Sequence, residues 1–276
     1  MPKQIPDKKD IQGLSFEELE QYVTSQAEKS FRANQIFDWI YKKGVYSFEE
    51  MKNLPAPLKE KLKTDFAFSR AEVVQRKVAA EGTTKFLFNL YDGEKIESVL
   101  IPTATRTTAC ISTQAGCKFG CKFCASGIGG WSRNLSCAEI VSQVLHVKEE
   151  SQKYKRPLSH IVFMGTGEPL DNFENLMKAI RIINFDKAIN IGARHITIST
   201  VGLVPKIKEL AQQKIQFELA VSLHGYDNAS RNILMPVNRK YPFDALIQAC
   251  REYVQLTKRQ ITFEQRTVHQ KTDVAQ

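Results

Sequence analysis

Three cysteines, Cys117, Cys121 and Cys124, fall within the segment STQAGCKFGCKFCASG as a C-x3-C-x2-C array. A glycine-containing loop can turn three thiolates onto one site. Four-thiolate zinc sites normally use paired C-x2-C knuckles, and only one such pair is present. A cubane iron–sulfur cluster held by three cysteines leaves one iron open to another ligand. Chance clustering at this spacing is the weaker reading. The other cysteines, Cys110, Cys137 and Cys250, stand apart, and six in such a chain do not read as a disulfide framework.

The elements that must position this loop can be read from pattern. Residues 15–66 read as helical, with Phe16, Leu19 and Tyr22, then Ile36, Phe37, Ile40 and Tyr41, at helical spacing. Ser15 and Glu18 form a capping box, and Leu54-Pro55-Ala56-Pro57 closes one helix and starts another. The aromatic residues of 31–46 are assigned to the core of this module. The runs AEVVQRKVA, TKFLFNLY and KIESVLIP, parted by Glu81-Gly82 and Asp92-Gly93, read as an antiparallel meander. From about residue 104, strands at 107–113, 160–164, 195–199, 217–223 and 260–264 alternate with helical patterns near 138–150, 172–183, 204–213 and 243–256. Such alternation predicts an α/β fold with a parallel sheet, open or closed into a barrel. Five strands fall short of the eight of a complete barrel. The expected division is a helical domain over 1–68, a β-meander linker over 69–103 and a partial barrel over 104–276.

The cysteine array resembles the signature of the radical S-adenosylmethionine (SAM) enzymes. FRANQIFDWIYKKGVYSFEEMKNLP, IESVLIP, MGTGEPLDNFENL, ITISTVGLVP, LAVSLH and MPVNRKYP extend the likeness, over about residues 12–264, to the dual-specificity RNA methyltransferase family. The resemblance implies a [4Fe-4S] cluster on Cys117, Cys121 and Cys124 in a partial radical-SAM TIM-like barrel of about five βα units. It further implies SAM contacts at Gly167, Glu168, Ser199, Ser222, Leu223 and His224, all at the carboxyl ends of strands, where a barrel carries its active site. Taken alone, Glu168 reads as a surface residue and His224 as a satisfied core histidine. Their repeated placement at strand ends favours the cofactor role.

The same resemblance implies methylation of C2 of an adenine in 23S ribosomal RNA, and in some members tRNA, with a flavodoxin-like protein as reductant. C2 lies between two ring nitrogens and is no nucleophile, so the family moves a methyl group through a cysteine and a radical. Cys110 matches the family's adduct-resolving cysteine, which finishes in a disulfide with a second cysteine. Glu97 matches its proton acceptor. Read without the family, Cys110 is a buried small hydrophobe and Glu97 a solvent-facing strand residue. Cys137 and Cys250 read as buried bystanders. Two other outcomes stay open: methylation at C8 of the same adenine, and a non-catalytic RNA-binding remnant.

Charge is consistent with an RNA partner. The chain of 276 residues has 39 basic and 30 acidic side chains. Residues 1–97 carry sixteen of each, so the whole excess of +9 lies in 98–276. Arg133, Arg239 and Lys240 are candidate phosphate contacts, or else solvated surface. No run of 18 apolar residues exists to span a membrane, and no apolar stretch follows the N-terminal lysines. A cytoplasmic monomer is expected. The family's pattern departs after ITFE, where the tail QRTVHQKTDVAQ is polar and an apolar strand continuation is expected. A sixth strand with an asparagine for SAM and a late methyl-accepting cysteine are not found, which reads as a frameshift, a premature stop or a naturally shortened protein. The expected consequences are an unpaired barrel edge and no RNA methylation by this chain.

Overall fold

The computed structural model describes residues 8–68, 71–154 and 157–266. The polar tail beyond Arg266 lies outside the described residues.

The N-terminal module runs through β1 (Lys9–Asp10), α1 (Phe16–Ser25), α2 (Phe31–Phe37), a π-helical turn at Asp38–Lys42, α3 (Ala56–Asp65) and β2 (Phe66–Ala67). The reciprocal Ser15–Glu18 capping box opens α1. Ile36, Phe37, Ile40 and Tyr41 form its buried seam. The helix does not run on to Leu54. It ends near Gly44, whose φ of +69° suits a residue without Cβ, and residues 43–55 are mainly turns. Helix α3 then starts at Ala56, after Pro55.

The meander strands β3 (Glu72–Val78), β4 (Thr84–Asn89) and β5 (Lys95–Pro102) pair antiparallel. They join the strand β6 (Thr107–Cys110) through the register Val99↔Cys110. After a short ribbon of β7 (Gln114–Gly116) and β8 (Trp131–Asn134) come α4 (Cys137–Gln152), β9 (His160–Phe163), α5 (Phe173–Asn184), β10 (Ile196–Thr200), α6 (Val204–Ala211), β11 (Glu218–Ser222), α7 (Asn228–Leu234), α8 (Phe243–Thr257) and β12 (Ile261–Glu264). The meander and the five parallel strands make one eight-stranded sheet, ordered β12-β11-β10-β9-β6-β5-β4-β3. Among the described residues its two end strands do not pair, so this sheet is open.

Alternation along each strand divides the sheet into two faces. Ile161, Phe163, Ile196, Ile198, Leu219 and Val221 are buried on the helix-covered face. The registers Thr197↔Val162, Ser199↔Ala220 and Ser222↔Glu264 set the opposite face, which carries polar side chains toward the carboxyl ends. Strand β6 stops at Cys110, short of the expected residue 113. There the Gln143 side chain takes over as partner, accepting from the Ser112 N–H at 3.0 Å and donating to the Ser112 carbonyl at 3.1 Å. Among the described residues no helix is long and apolar enough to cross a membrane.

Candidate active site

The cysteine loop is the connection of the β7–β8 ribbon. Gly116 permits the closure: its φ is +73°, and a Cβ there would collide with the Gly130 carbonyl oxygen. The buried Asn172 side chain ties the ribbon's flanks together, donating to the carbonyls of Thr113 (2.8 Å) and Leu135 (2.7 Å). The Lys122 N–H donates to the Leu234 carbonyl at 2.9 Å and docks the loop on the end of α7.

Cys117, Cys121 and Cys124 line one cavity of about 200 Å³ together with Gly167, Glu168, Ser199, Ser222 and His224. Eight of the eleven predicted site residues therefore meet around one space at the carboxyl ends of the parallel strands. Burial pushes the Cys121 thiol up to about 12 and raises that of Cys117. Such thiols are protonated until a metal displaces the proton. Among the described residues, no three His, Cys, Asp or Glu side chains converge on a single-ion site. Three thiols spaced around a cavity, with no fourth, suit a polynuclear cluster with one open iron.

Glu168 is 2% exposed. Its carboxylate accepts from the Thr200 hydroxyl (2.7 Å), the Val201 N–H (2.8 Å) and the Leu170 N–H (3.1 Å). Burial outweighs these bonds and raises its pKa to about 7. A cationic ligand is what would restore its charge. The turn before it needs glycine: a Cβ on Gly167 (φ +100°) would lie 2.5 Å from Gln114 Cβ, and one on Gly165 2.7 Å from the Ser112 nitrogen. Gln114 completes this support by accepting from the Glu168 N–H at 2.9 Å.

His224 has a φ of +44° and packs edge-on against Phe123, with centroids 4.4 Å apart. Its Nδ1 accepts from the Arg266 N–H at 3.1 Å, and burial lowers its pKa. The neutral ring therefore carries its proton on Nε2, as a donor to the cavity. Leu223 does not line the cavity; its N–H donates to the Glu264 carbonyl at 3.0 Å and its carbonyl accepts from Arg231 Nε at 3.0 Å. Glu264, not among the residues expected from the sequence, also lines the cavity, and its carboxylate accepts from the hydroxyls of Ser222 (2.9 Å) and Ser199 (3.4 Å). Its position at the end of a strand, like Ser199 and Ser222, was the available signal.

Glu97 and Cys110 lie outside the cavity lining. Cys110 pairs across the sheet with Val99, two residues from Glu97, so both project from the face that carries Ser199 and Ser222. Glu97 is half-exposed and forms a 2.6 Å ion pair with Lys85. Burial pushes the Cys110 thiol up to about 11. Cys137 and Cys250 are buried on α4 and α8. Arg133 is not a free phosphate contact: it pairs with Asp92 (2.5 Å) and, through both terminal nitrogens, with Glu139 (2.8 Å each).

Known proteins resemble the chain along most of its length. The Ribosomal RNA large subunit methyltransferase N-terminal domain matches residues 9–67, and the Radical SAM superfamily matches residues 111–264. A probable dual-specificity RNA methyltransferase RlmN from Clostridium novyi is 48% identical over 257 residues, covering 93% of this chain and 74% of the relative. The chain belongs to the RlmN family of radical SAM enzymes. A second RlmN relative, from Bacillus subtilis, is 45% identical over 92% of this chain and 70% of its own length. The crystal structure of a radical SAM methyltransferase from Sphaerobacter thermophilus superposes with a TM-score of 0.89 at 41% identity, covering 92% of this chain and 75% of that one. Membership in the RlmN family brings its cofactors, a [4Fe-4S] cluster and SAM.

Proposed function

We propose that this protein is built for methylation of C2 of adenine in 23S ribosomal RNA and in tRNA, a reaction that passes through a cysteine-bound methyl group for which none of its six cysteines is assigned. The observation that carries the reading is the shared cavity: three thiols, a buried carboxylate and strand-end polar groups surround one space. Cys117, Cys121 and Cys124 are the residues to hold the cluster. When bound there with SAM, the cluster supplies reductive cleavage of the sulfonium, and with it radical hydrogen abstraction.

The protein's own groups bind and orient. Glu168 offers its carboxylate, and the Gly167 turn its backbone, to the ammonium of SAM. Ser199, Ser222 and His224 Nε2–H supply hydrogen bonds to the rest of the molecule. Glu97 is the proposed proton acceptor for C2, held on the same sheet face as Cys110, the proposed resolving thiol. Lys85 holds the Glu97 carboxylate in place through their 2.6 Å ion pair. Cys137 and Cys250 suit neither thiol role, so the methyl carrier is not assigned among the six cysteines. The basic excess of residues 98–276 draws RNA to this region, and a flipped or looped-out adenine gives access to C2. A flavodoxin-like protein as reductant, a monomeric state and a cytoplasmic location complete the proposal.

Anaerobic reconstitution with iron and sulfide tests it. The protein should gain iron–sulfur absorbance and release 5′-deoxyadenosine from SAM under dithionite. A C117A/C121A/C124A variant should do neither. Nucleoside mass spectrometry of ribosomal RNA fragments and tRNA incubated with the protein then reads the base: no methylated adenine is expected from these six cysteines alone, 2-methyladenosine would show that one of them carries the methyl group, and 8-methyladenosine would transfer the assignment to the other carbon. RNA binding that persists unchanged in the triple variant, with no cluster in the parent protein, would sink the enzymatic reading.

A further inference from the structure

Arg231, on α7, is fully buried. Its guanidinium donates to the carbonyls of Val201 (2.5 Å) and Leu223 (3.0 Å), to Asn238 Oδ1 (2.9 Å) and, at 3.5 Å, to the Ser222 carbonyl. Every one of these partners is neutral, and among the described residues no carboxylate pairs with it. The side chain is also tightly enclosed. A Cβ on Gly202 would come within 3.2 Å of Arg231 Nη2, and one on Gly225 within 2.9 Å of its backbone nitrogen. A buried cation without a counter-charge is costly, and carbonyl dipoles recover only part of that cost.

The nearby groups able to supply negative charge are thiols. The Cys121 and Cys250 thiols lie within electrostatic range of Arg231. Cys250 is a neutral bystander, its thiol pushed up to about 11 by burial. Cys121 belongs to the loop whose Lys122 N–H is bonded to Leu234, one turn along the helix from Arg231. Coordination to iron deprotonates such a thiol outright. Three thiolates and a reduced cluster together carry net negative charge, within electrostatic range of this buried cation through Cys121.

We propose that Arg231 is the built-in counter-charge of the cluster bound at Cys117, Cys121 and Cys124, a positioning residue that favours its one-electron reduction while fixing the loops after β10 and β11. This rests on the cluster assignment above. Arginine suits both tasks, because its charge is permanent and its fixed fork of donors reaches several carbonyls at once.

The test compares the reconstituted wild-type protein with R231K, R231Q and N238A in dithionite titrations followed by electron paramagnetic resonance. R231Q should shift the midpoint potential to more negative values. R231K and N238A, which keep the charge, should stay close to wild type. An unshifted R231Q potential overturns the proposal, as does an R231K shift equal to that of R231Q. Where R231Q folds by circular dichroism but does not load a cluster, loading by R231K supports the counter-charge and failure of both refutes it. Cluster assembly in a C121A protein, or none in wild type, instead removes the cluster assignment itself.

Discussion

Glu168 concentrates the electrostatics of the site. Its folded pKa, near 7, lies above the ordinary 4.5 because burial penalises the charged form. The folded protein thus holds a proton that the unfolded chain releases. Stability from this group is fully present below about pH 4.5 and lost as pH rises through 7, by up to ~3 kcal/mol. Urea titrations of the SAM-free protein should show this loss, and E168Q should flatten it. The same substitution removes the carboxylate proposed to meet the SAM ammonium. SAM affinity in equilibrium dialysis should fall about 10- to 100-fold, the value of a charged hydrogen bond. An E168Q protein that binds SAM as tightly as wild type contradicts the assigned contact. At Glu97, replacement by Gln should leave 5′-deoxyadenosine release near wild type, since the proposed role of this group concerns the RNA base and its side chain lies outside the cavity lining.

At the scale of elements, the β7–β8 ribbon decides whether three thiols share one cavity. G116A introduces a Cβ against Gly130 and forces φ away from +73°. It should lose most of its iron content in reconstitution while retaining the far-ultraviolet circular dichroism of the sheet and helices. N172A leaves the Thr113 and Leu135 carbonyls without their side-chain donor. A cost of about 2 kcal/mol is expected from two buried bonds, read as a lowered urea midpoint with unchanged slope. An unchanged midpoint would mean that the ribbon is held by its backbone alone.

For the whole molecule, two interfaces matter. The helical module is tied to the sheet domain by Lys178–Glu18 (2.7 Å) and by Lys148 Nζ donating to the Tyr41 carbonyl (2.6 Å). At the other end, among the described residues β12 pairs only with β11, and beside it a groove of about 630 Å³ between α8 and β12 is lined by Ile247, Val254, Ile261 and Phe263. Phe263 and Leu256 are exposed. An unpaired apolar edge favours strand-to-strand association. Light scattering should show self-association growing with concentration, and F263K should reduce it by placing a charge on the edge.

Local chemistry made much of this legible in the sequence. The C-x3-C-x2-C spacing confines three thiols to one loop, period-two runs mark the strands, and the Ser15–Glu18 cap marks the first helix. These signals act over a few residues, so the sequence alone determined the element order and the thiol loop. It could not show that the meander extends the parallel sheet, because the Val99↔Cys110 pairing is a contact between strands. Nor did it reveal Glu264 or the buried Arg231. A glutamate at a strand end and an arginine in a short helix are ordinary residues in sequence. Only the convergence of β10, β11, β12 and α7 sets one carboxylate between two serines and leaves one cation buried among neutral partners. Burial and charge compensation depend on neighbours distant in the chain, and the tertiary structure alone brings those together.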